Sequence, residues 1–183
     1  MLGVLSTIEH YHRSAPGRNF ENIIILCSTL SVNKTYLERA WIRKDNCVFL
    51  FEPRGNLFEI IEKLSLRFSG EETLFVVDDV IADETLDKRR NPLLELAISG
   101  RHRQHSLWIL TQSYTALPKN LRRQKKQLFL WYPSEKSDLK TVDEETNLMT
   151  SDDLAKIKEK LKSGEHACLY VRLKHPRSFQ VLE

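Results

Sequence analysis

Two adjacent carboxylates follow an apolar segment of this 183-residue chain. In the segment LFVVDDV, residues 74 to 80, four apolar residues directly precede Asp78 and Asp79. Such a run predicts a strand buried in a sheet, which would carry both carboxylates to its carboxyl end. Open α/β sheets bind ligands at that edge. A first carboxylate there can hold Mg²⁺ through water, and a second can polarise a water molecule for attack on a phosphate.

The acidic pair by itself allows more than one interpretation. In nucleotide hydrolases this arrangement is the Walker B motif. The motif is short, and any buried strand that runs into an acidic turn produces the same pattern. The acidic pair of a receiver domain is also similar, although it normally ends the first strand, whereas Asp78 and Asp79 end the third predicted strand.

A second polar site follows the next predicted strand. Thr111 and Gln112 come directly after the apolar run SLWIL. A polar side chain at the tip of the strand beside a Walker B strand can contact the γ-phosphate of a nucleotide or the attacking water. The structural alternative is an amide that caps the end of the strand.

Two arginines lie in the segment GRHRQH, residues 100 to 105. Arg101 and Arg103 follow a predicted helix stop, and we expect them to face the same sheet edge as the acidic pair. Arginines in such a position can act as a finger on the phosphate of a neighbouring subunit. The alternative is a solvated basic loop.

A third feature is a basic cluster after Leu117 and Pro118. Five cations within eight residues could follow a nucleic-acid phosphate backbone. An isolated basic run is also typical of a solvated helix face. The cluster consists of Lys119, Arg122, Arg123, Lys125 and Lys126.

The composition indicates one soluble α/β domain over residues 1–183. Hydrophobic residues make up 41% of the chain and charged residues 29%, which excludes a disordered or collagen-like chain. The apolar runs are too short to cross a bilayer, and no secretory signal is visible. The net charge of +3 hints only weakly at nucleic acid. Three widely spaced cysteines without a CxxC pair favour reduced thiols in an intracellular protein.

Buried strands and helices alternate along the chain. Five apolar runs predict strands of a mostly parallel sheet with helices on both faces, and two shorter runs predict closing strands. Capping residues and helical spacing predict four helices, and residues 134 to 149 suit a polar loop with a short helix. The five runs are Asn22 to Ser28, Asn46 to Phe51, Thr73 to Val77, Ser106 to Thr111 and Gln127 to Tyr132; the closing runs are His166 to Arg172 and Ser178 to Leu182; the helices are Asn33 to Arg43, 56 to 68, Pro92 to Gly100 and Thr150 to Ser163.

The ordered string of these segments is more specific than its parts. It comprises IIILCSTLSVNKTY (23 to 36), LFVVDDV (74 to 80), LLELAISGRHRQHSLWILTQSYTALPKNLR (93 to 122) and LFLWYP (128 to 133). Over residues 20 to 135 it resembles the genome-packaging ATPases of the FtsK–HerA superfamily, in particular the poxvirus-type branch found in large DNA viruses, virophages and Maverick/Polinton transposons. The resemblance implies a RecA-like P-loop fold, a homo-oligomeric ring and ATP-driven movement of double-stranded DNA into a capsid.

The resemblance also implies roles for individual residues. Asp78 would hold Mg²⁺, Asp79 would activate water and Gln112 would sense the γ-phosphate of ATP. Arg101 is the first candidate for the arginine finger, with Arg103 and Arg122 as lesser ones. The basic cluster would contact DNA, capsid proteins would be possible partners and no membrane would be involved. Such a protein would work in the nucleus or in a cytoplasmic viral factory.

The sequence departs from this family at the phosphate-binding loop. No segment of the form GxxxxGK[ST] occurs in it, and only about 20 residues precede the first strand, where family members have a strand, a Walker A loop and a helix. We therefore expect little or no ATP hydrolysis by the chain as printed, and either a misplaced gene start or a decayed copy. A non-catalytic DNA- or partner-binding protein is the alternative, and an unrelated α/β nucleotide-binding domain is a third interpretation.

Overall fold

The computed structural model describes residues 6–9, 19–53, 56–79, 91–131, 136–164 and 167–182. Contacts within the chain divide it into two compact units, Met1–Gln112 (unit 1) and Ser113–Glu183 (unit 2). Each unit contains its own sheet and its own cluster of buried apolar side chains. Among the helices of the described segments, none has the length and apolar character needed to span a bilayer.

Unit 1 contains a four-stranded parallel sheet in the order β2-β1-β3-β4. This sheet confirms the predicted α/β fold with a mostly parallel sheet, because each strand is followed by a helical segment before the next parallel strand. The strands are β1 (Asn22–Cys27), β2 (Val48–Phe51), β3 (Thr73–Asp78) and β4 (His105–Leu110); the helices are α1 (6–9), α2 (Lys34–Leu37), α3 (Ala40–Lys44), α4 (Leu57–Arg67) and α5 (Pro92–Ser99), with 3₁₀ turns at Leu30–Val32 and Gly100–Arg103.

Helices cover both faces of the parallel sheet. Every residue of β1 and β3 is buried, which explains why these strands are continuously apolar instead of alternating. On one face, Tyr36 of α2 and Trp41 of α3 belong to the same buried cluster as the side chains at alternate positions of β1. On the other face, the ring of Phe75 packs against the ring of His105, whose Nδ1 lies 3.3 Å from Ser65 Oγ of α4.

Local capping explains where the helices of unit 1 begin. Asn33, Asn56 and Asn91 each accept a backbone N–H bond at a helix N-terminus, and Pro92 occupies the first turn of α5 as predicted. The predicted helix from Asn33 to Arg43 is interrupted, because the backbone at Arg39 is extended and separates α2 from α3.

Unit 2 contains a three-stranded antiparallel sheet in the order β5-β6-β7. The prediction that residues 127 to 132 form a fifth strand of the parallel sheet is wrong, because β5 pairs antiparallel with β6. Only one face of β5 is buried, with Leu130 in the core and Phe129 and Trp131 both 40% exposed. A strand with one solvated face is typical of an antiparallel sheet. The strands are β5 (Gln127–Trp131), β6 (Cys168–Arg172) and β7 (Ser178–Leu182).

The helices of unit 2 pack their apolar residues against this sheet. Val142 of α7 and Ile157 of α8 share a buried cluster with Leu169 of β6. The helix α7 is longer than the short helix predicted within residues 134 to 149, because its apolar positions pack into this core. The three helices are α6 (Lys119–Arg122), α7 (Lys136–Thr146) and α8 (Ser151–Ser163), and the chain's three cysteines are free thiols, as expected.

The N-terminus of α8 has the capping box that the sequence predicts. The Thr150 hydroxyl accepts a bond from the Asp153 N–H, and the Asp153 carboxylate accepts one from the Thr150 N–H. We expect Thr150→Ala to lower the free energy of unfolding by about 1 kcal/mol, because it leaves an N-terminal donor of the helix without its partner. Urea denaturation measures this change. Ser151→Ala is the matched control, and an equal loss in both variants would contradict the capping role.

Candidate functional site

The acidic pair and Gln112 lie at the same edge of the parallel sheet. Asp78 is the last residue of β3 and is paired in register with Leu110, the last residue of β4. Thr111 and Gln112 follow Leu110 directly, and both are exposed. The prediction that Asp78 and Asp79 lie at the carboxyl end of a central strand is confirmed. Gln112 was predicted to end the adjacent strand; it lies at the same edge, but β4 ends two residues earlier, at Leu110.

The Asp78 side chain is enclosed by groups from the neighbouring strand and helix. It is only 3% exposed. Its Oδ2 atom accepts a 2.7 Å hydrogen bond from the Tyr36 hydroxyl and a 3.8 Å bond from the Cys27 thiol. Neither Tyr36 nor Cys27 was predicted from the sequence to be a site residue. The available signal was that β1 ends at Cys27 and that Tyr36 lies in the first helix after β1.

Burial shifts the pKa values of both Asp78 and Tyr36. Burial raises the pKa of the Asp78 carboxyl group above its ordinary value; the Tyr36 hydrogen bond opposes this rise and the charge of Asp79 adds to it. Burial, followed by the bond to Asp78, also raises the pKa of Tyr36. Tyr36 therefore keeps its proton and acts as the donor. Since the pKa of Asp78 is raised in the folded state, its contribution to stability is complete in acid and is lost as the pH rises through the folded-state pKa.

Asp79 has the opposite environment. Its side chain is exposed, and its backbone adopts the left-handed region with φ of 54°. This conformation costs a non-glycine residue roughly 1 kcal/mol. The Ser28 hydroxyl donates a 2.9 Å bond to the Asp79 carbonyl, and the Asp79 N–H donates a 3.4 Å bond to the Leu110 carbonyl. These bonds hold the chain so that one carboxylate is enclosed and the next one is open to solvent.

The two carboxylates fit a magnesium ion whose other ligands are phosphate oxygens and water. Mg²⁺ typically takes one or two protein carboxylates and completes its shell with water and substrate oxygens, and Asp78 and Asp79 can supply that contribution. Within the described residues, no group of three or more His, Cys, Asp or Glu side chains is arranged to hold a metal ion by itself. Asp78 and Asp79 are therefore the residues of this edge that could contribute to a magnesium site.

The two candidate finger arginines lie at the other edge of the sheet. They precede β4, and β4 is parallel to β3, so Arg101 and Arg103 are at the amino ends of the strands. The expectation that they face the same edge as the acidic pair is therefore wrong. Arg103 donates to Ser65 Oγ at 2.8 Å and lies 3.4 Å from a Glu95 carboxylate oxygen. Arg101 is exposed.

The basic cluster separates into buried and exposed cations. Arg122 and Lys125 form ion pairs with Glu145 at 2.8 and 3.1 Å, and all three side chains are at most 15% exposed. The Tyr114 hydroxyl also donates to Glu145, and both cations lie about 5 Å from the centre of the Tyr114 ring. The remaining members, Lys119, Arg123 and Lys126, are exposed.

Replacing Tyr36 with phenylalanine tests the enclosure of Asp78. We expect Tyr36→Phe to lower the free energy of unfolding by about 2 kcal/mol near neutral pH, because a buried carboxylate loses its closest donor. The variant should also raise the pKa of Asp78 further, since the Tyr36 bond is the main factor that lowers it. Thermal unfolding and carboxyl-carbon NMR titration measure the two effects. Tyr170→Phe on β6 is the control, and a Tyr36→Phe protein as stable as the parent would contradict this account.

No protein-family model matches the sequence, and no curated protein matches it. Among solved structures, the chain is similar to the genome-packaging NTPase B204 from Sulfolobus turreted icosahedral virus 2 in complex with sulfate, with a TM-score of 0.69, 18% identity and coverage of 100% of this chain and 90% of that one. The AMP complex of the same NTPase gives a TM-score of 0.58 at 12% identity, with coverage of 91% and 98%. B204 of Sulfolobus turreted icosahedral virus, described as a DNA-packaging ATPase, gives a TM-score of 0.59 at 15% identity, with coverage of 90% and 98%. The chain thus has an α/β fold similar to that of viral genome-packaging NTPases.

Proposed function

We propose that this chain belongs to the lineage of ATP-driven DNA-packaging NTPases and that its nucleotide site is the carboxyl edge of β3 and β4. The observation that carries the proposal is the pairing of Asp78 with Leu110, which puts the acidic pair and Gln112 at one sheet edge. The fold similarity supports it, because one NTPase with a similar fold has been solved in complex with AMP and with ATP-γS. The poxvirus-type branch is the finer assignment that we propose from the sequence strings.

Each residue of the proposed site has a role that suits its surroundings. Asp78, enclosed and bonded to Tyr36, is fixed in one orientation and would hold Mg²⁺ through water. Asp79 is exposed, so its carboxylate can accept a hydrogen bond from a water molecule and orient it for attack. The Gln112 amide would contact the γ-phosphate or that water. Magnesium-bound ATP would supply the phosphoanhydride bond that is hydrolysed.

A finger arginine would have to act between subunits. Arg101 lies at the amino edge of its own sheet, so it cannot contact a nucleotide bound beside the acidic pair of the same chain. It would instead contact the nucleotide of a neighbouring subunit in a ring. Arg103 and Arg122 are weaker candidates, since each is already held by an acidic side chain. We propose double-stranded DNA as the transported substrate, with exposed members of the basic cluster on its backbone and capsid proteins as further partners.

Nucleotide binding tests the location of the site. The chain as printed has no GxxxxGK[ST] loop, so we expect it to bind a fluorescent ATP analogue weakly in the presence of Mg²⁺. Adding an N-terminal segment with a strand, this loop and a helix should tighten binding by roughly 100-fold, the effect of about two charge-assisted hydrogen bonds. Asp78→Asn should then weaken the magnesium dependence of binding. Equal affinity with and without the added loop would place the phosphate site elsewhere and would favour a non-catalytic role.

A further inference from the structure

Exposed cations from two distant parts of unit 2 line one cavity. The cavity has a volume of about 670 Å³, and its lining includes Lys119 and Arg123 of the basic cluster and Arg177 of the connection between β6 and β7. All three side chains are exposed. Within the described segments, none of the three forms an ion pair. Like charges that converge in this way repel one another, so their convergence indicates a site for an external anion.

The acidic residues in the cavity lining do not neutralise these cations. Glu145 is already bonded by Arg122 and Lys125, and Glu144 lies 3.5 Å from Lys140. Arg122 additionally donates to the Thr115 carbonyl at 3.2 Å. The base of the cavity is therefore an ion-paired, hydrogen-bonded cluster in which two cations share one carboxylate, and the exposed cations add their positive charge to it.

The β6–β7 connection, which carries Arg177, begins with a backbone contact to the basic cluster. The Leu173 N–H donates a 2.9 Å bond to the Lys126 carbonyl, which joins the start of the β6–β7 connection to the end of the cluster. Leu173 itself lines the cavity. The arrangement brings together cations that are more than fifty residues apart in sequence, so no local sequence pattern identifies Arg177.

We propose that this cavity binds the phosphate groups of a nucleic-acid backbone, with Lys119, Arg123 and Arg177 as the contacting residues. The proposal rests on the proposed function for the choice of duplex DNA as the polyanion, and it replaces the enclosed Arg122 and Lys125 with Arg177 as a backbone contact. Guanidinium groups suit phosphate because they donate paired hydrogen bonds. Contacts of this type carry no base sequence information, so binding should be independent of DNA sequence.

Salt-dependent DNA binding tests this assignment on the full 183-residue chain. Fluorescence anisotropy with a labelled duplex is measured across a salt series for the parent and for Arg177→Ala. Loss of one phosphate contact should lower the slope of log affinity against log salt by about 0.9, and the Lys119→Ala/Arg123→Ala/Arg177→Ala variant should lower it by about 2.7. Lys158→Ala on α8, an exposed cation outside the cavity lining, should leave the slope unchanged. Thermal unfolding verifies that each variant is folded.

Three other outcomes would contradict the DNA contact, the nucleic-acid assignment or the phosphate site. If the parent binds DNA but the triple variant keeps the parent's slope, the cavity is not the DNA contact and the proposed function is unaffected. If the parent binds tripolyphosphate and the duplex does not compete, the anion is a free phosphate compound and the nucleic-acid assignment is wrong. If the parent binds neither probe, the cavity is not a phosphate site; the nucleotide-binding test of the proposed function is separate and is not decided by that result.

Discussion

Replacing Glu145 with alanine is expected to lower the free energy of unfolding by about 3 kcal/mol. The substitution leaves Arg122 and Lys125 largely buried without their shared anion, and breaking a buried ion pair from one side typically costs 3 to 5 kcal/mol. We expect the lower end of this range because the three side chains keep a small solvent exposure. The Tyr114 hydroxyl loses its acceptor as well. Denaturant unfolding measures the change.

Glu144→Ala is the matched control for this prediction. Glu144 is adjacent in sequence, but its pair with Lys140 is largely exposed, so we expect a loss below about 0.5 kcal/mol. Comparable losses in the two variants would show that the Glu145 network does not stabilise unit 2. Burial alone would raise the pKa of Glu145, but hydrogen bonds from Tyr114, Lys125 and Arg122 outweigh it and hold the pKa below its ordinary value. This stabilisation should therefore be present above the ordinary pKa of glutamate and should disappear as the pH falls through the lowered value.

A chain extended by a strand, a GxxxxGK[ST] loop and a helix is expected to hydrolyse ATP, whereas the chain as printed should show no measurable turnover. In the extended protein, Asp79→Asn should lower kcat by roughly 100-fold or more, because an amide cannot accept the proton of the attacking water as a carboxylate can. Phosphate release in the presence of Mg²⁺ and duplex DNA measures the rates. The binding affinity for ATP should change little, since Asp79 is not expected to hold the triphosphate.

Asp152→Asn on α8 is the matched control, because it removes the same charge from an exposed position outside the proposed site. Its kcat should equal that of the extended parent. Robust turnover by the unextended chain would mean that the phosphate-binding residues have been misplaced. Full activity of the Asp79→Asn protein would show that Asp79 does not activate the attacking water. That result would not affect the nucleotide-binding test.

Local chemistry accounts for the parts of the fold that the sequence predicts well. The apolar run before Asp78 and the run before Thr111 each predict a buried strand, and parallel pairing then places both polar ends at one edge. Helix starts follow from capping groups that bond to N–H groups two or three residues away, as at Asn91 and Thr150. Such features depend on neighbours in sequence, so a single chain contains the information needed to find them.

Pairings between distant segments were not predictable in this way. The run at residues 127 to 131 is as apolar as a parallel strand, and only its pairing with β6 shows that one of its faces is solvated. Arg101 belongs to the next motif after the acidic pair in the sequence. Because Arg101 precedes β4 and β4 runs parallel to β3, Arg101 lies at the opposite edge of the sheet. An apolar pattern reports that a segment is buried and does not report which partner buries it.

The acidic pair, its strand, the adjacent polar strand end and the mostly parallel α/β class could all be predicted from consecutive residues of the sequence. The contacts of the side chains come from the folded chain. Tyr36, 42 residues from Asp78, donates a hydrogen bond to its carboxylate. Glu145 forms ion pairs with Arg122 and Lys125, which are largely buried. Hydrogen bonds and ion pairs of buried groups form between the side chains that the fold brings within about 3 Å of each other. That proximity depends on the path of the whole chain, whereas strand burial and helix capping depend on a few consecutive residues.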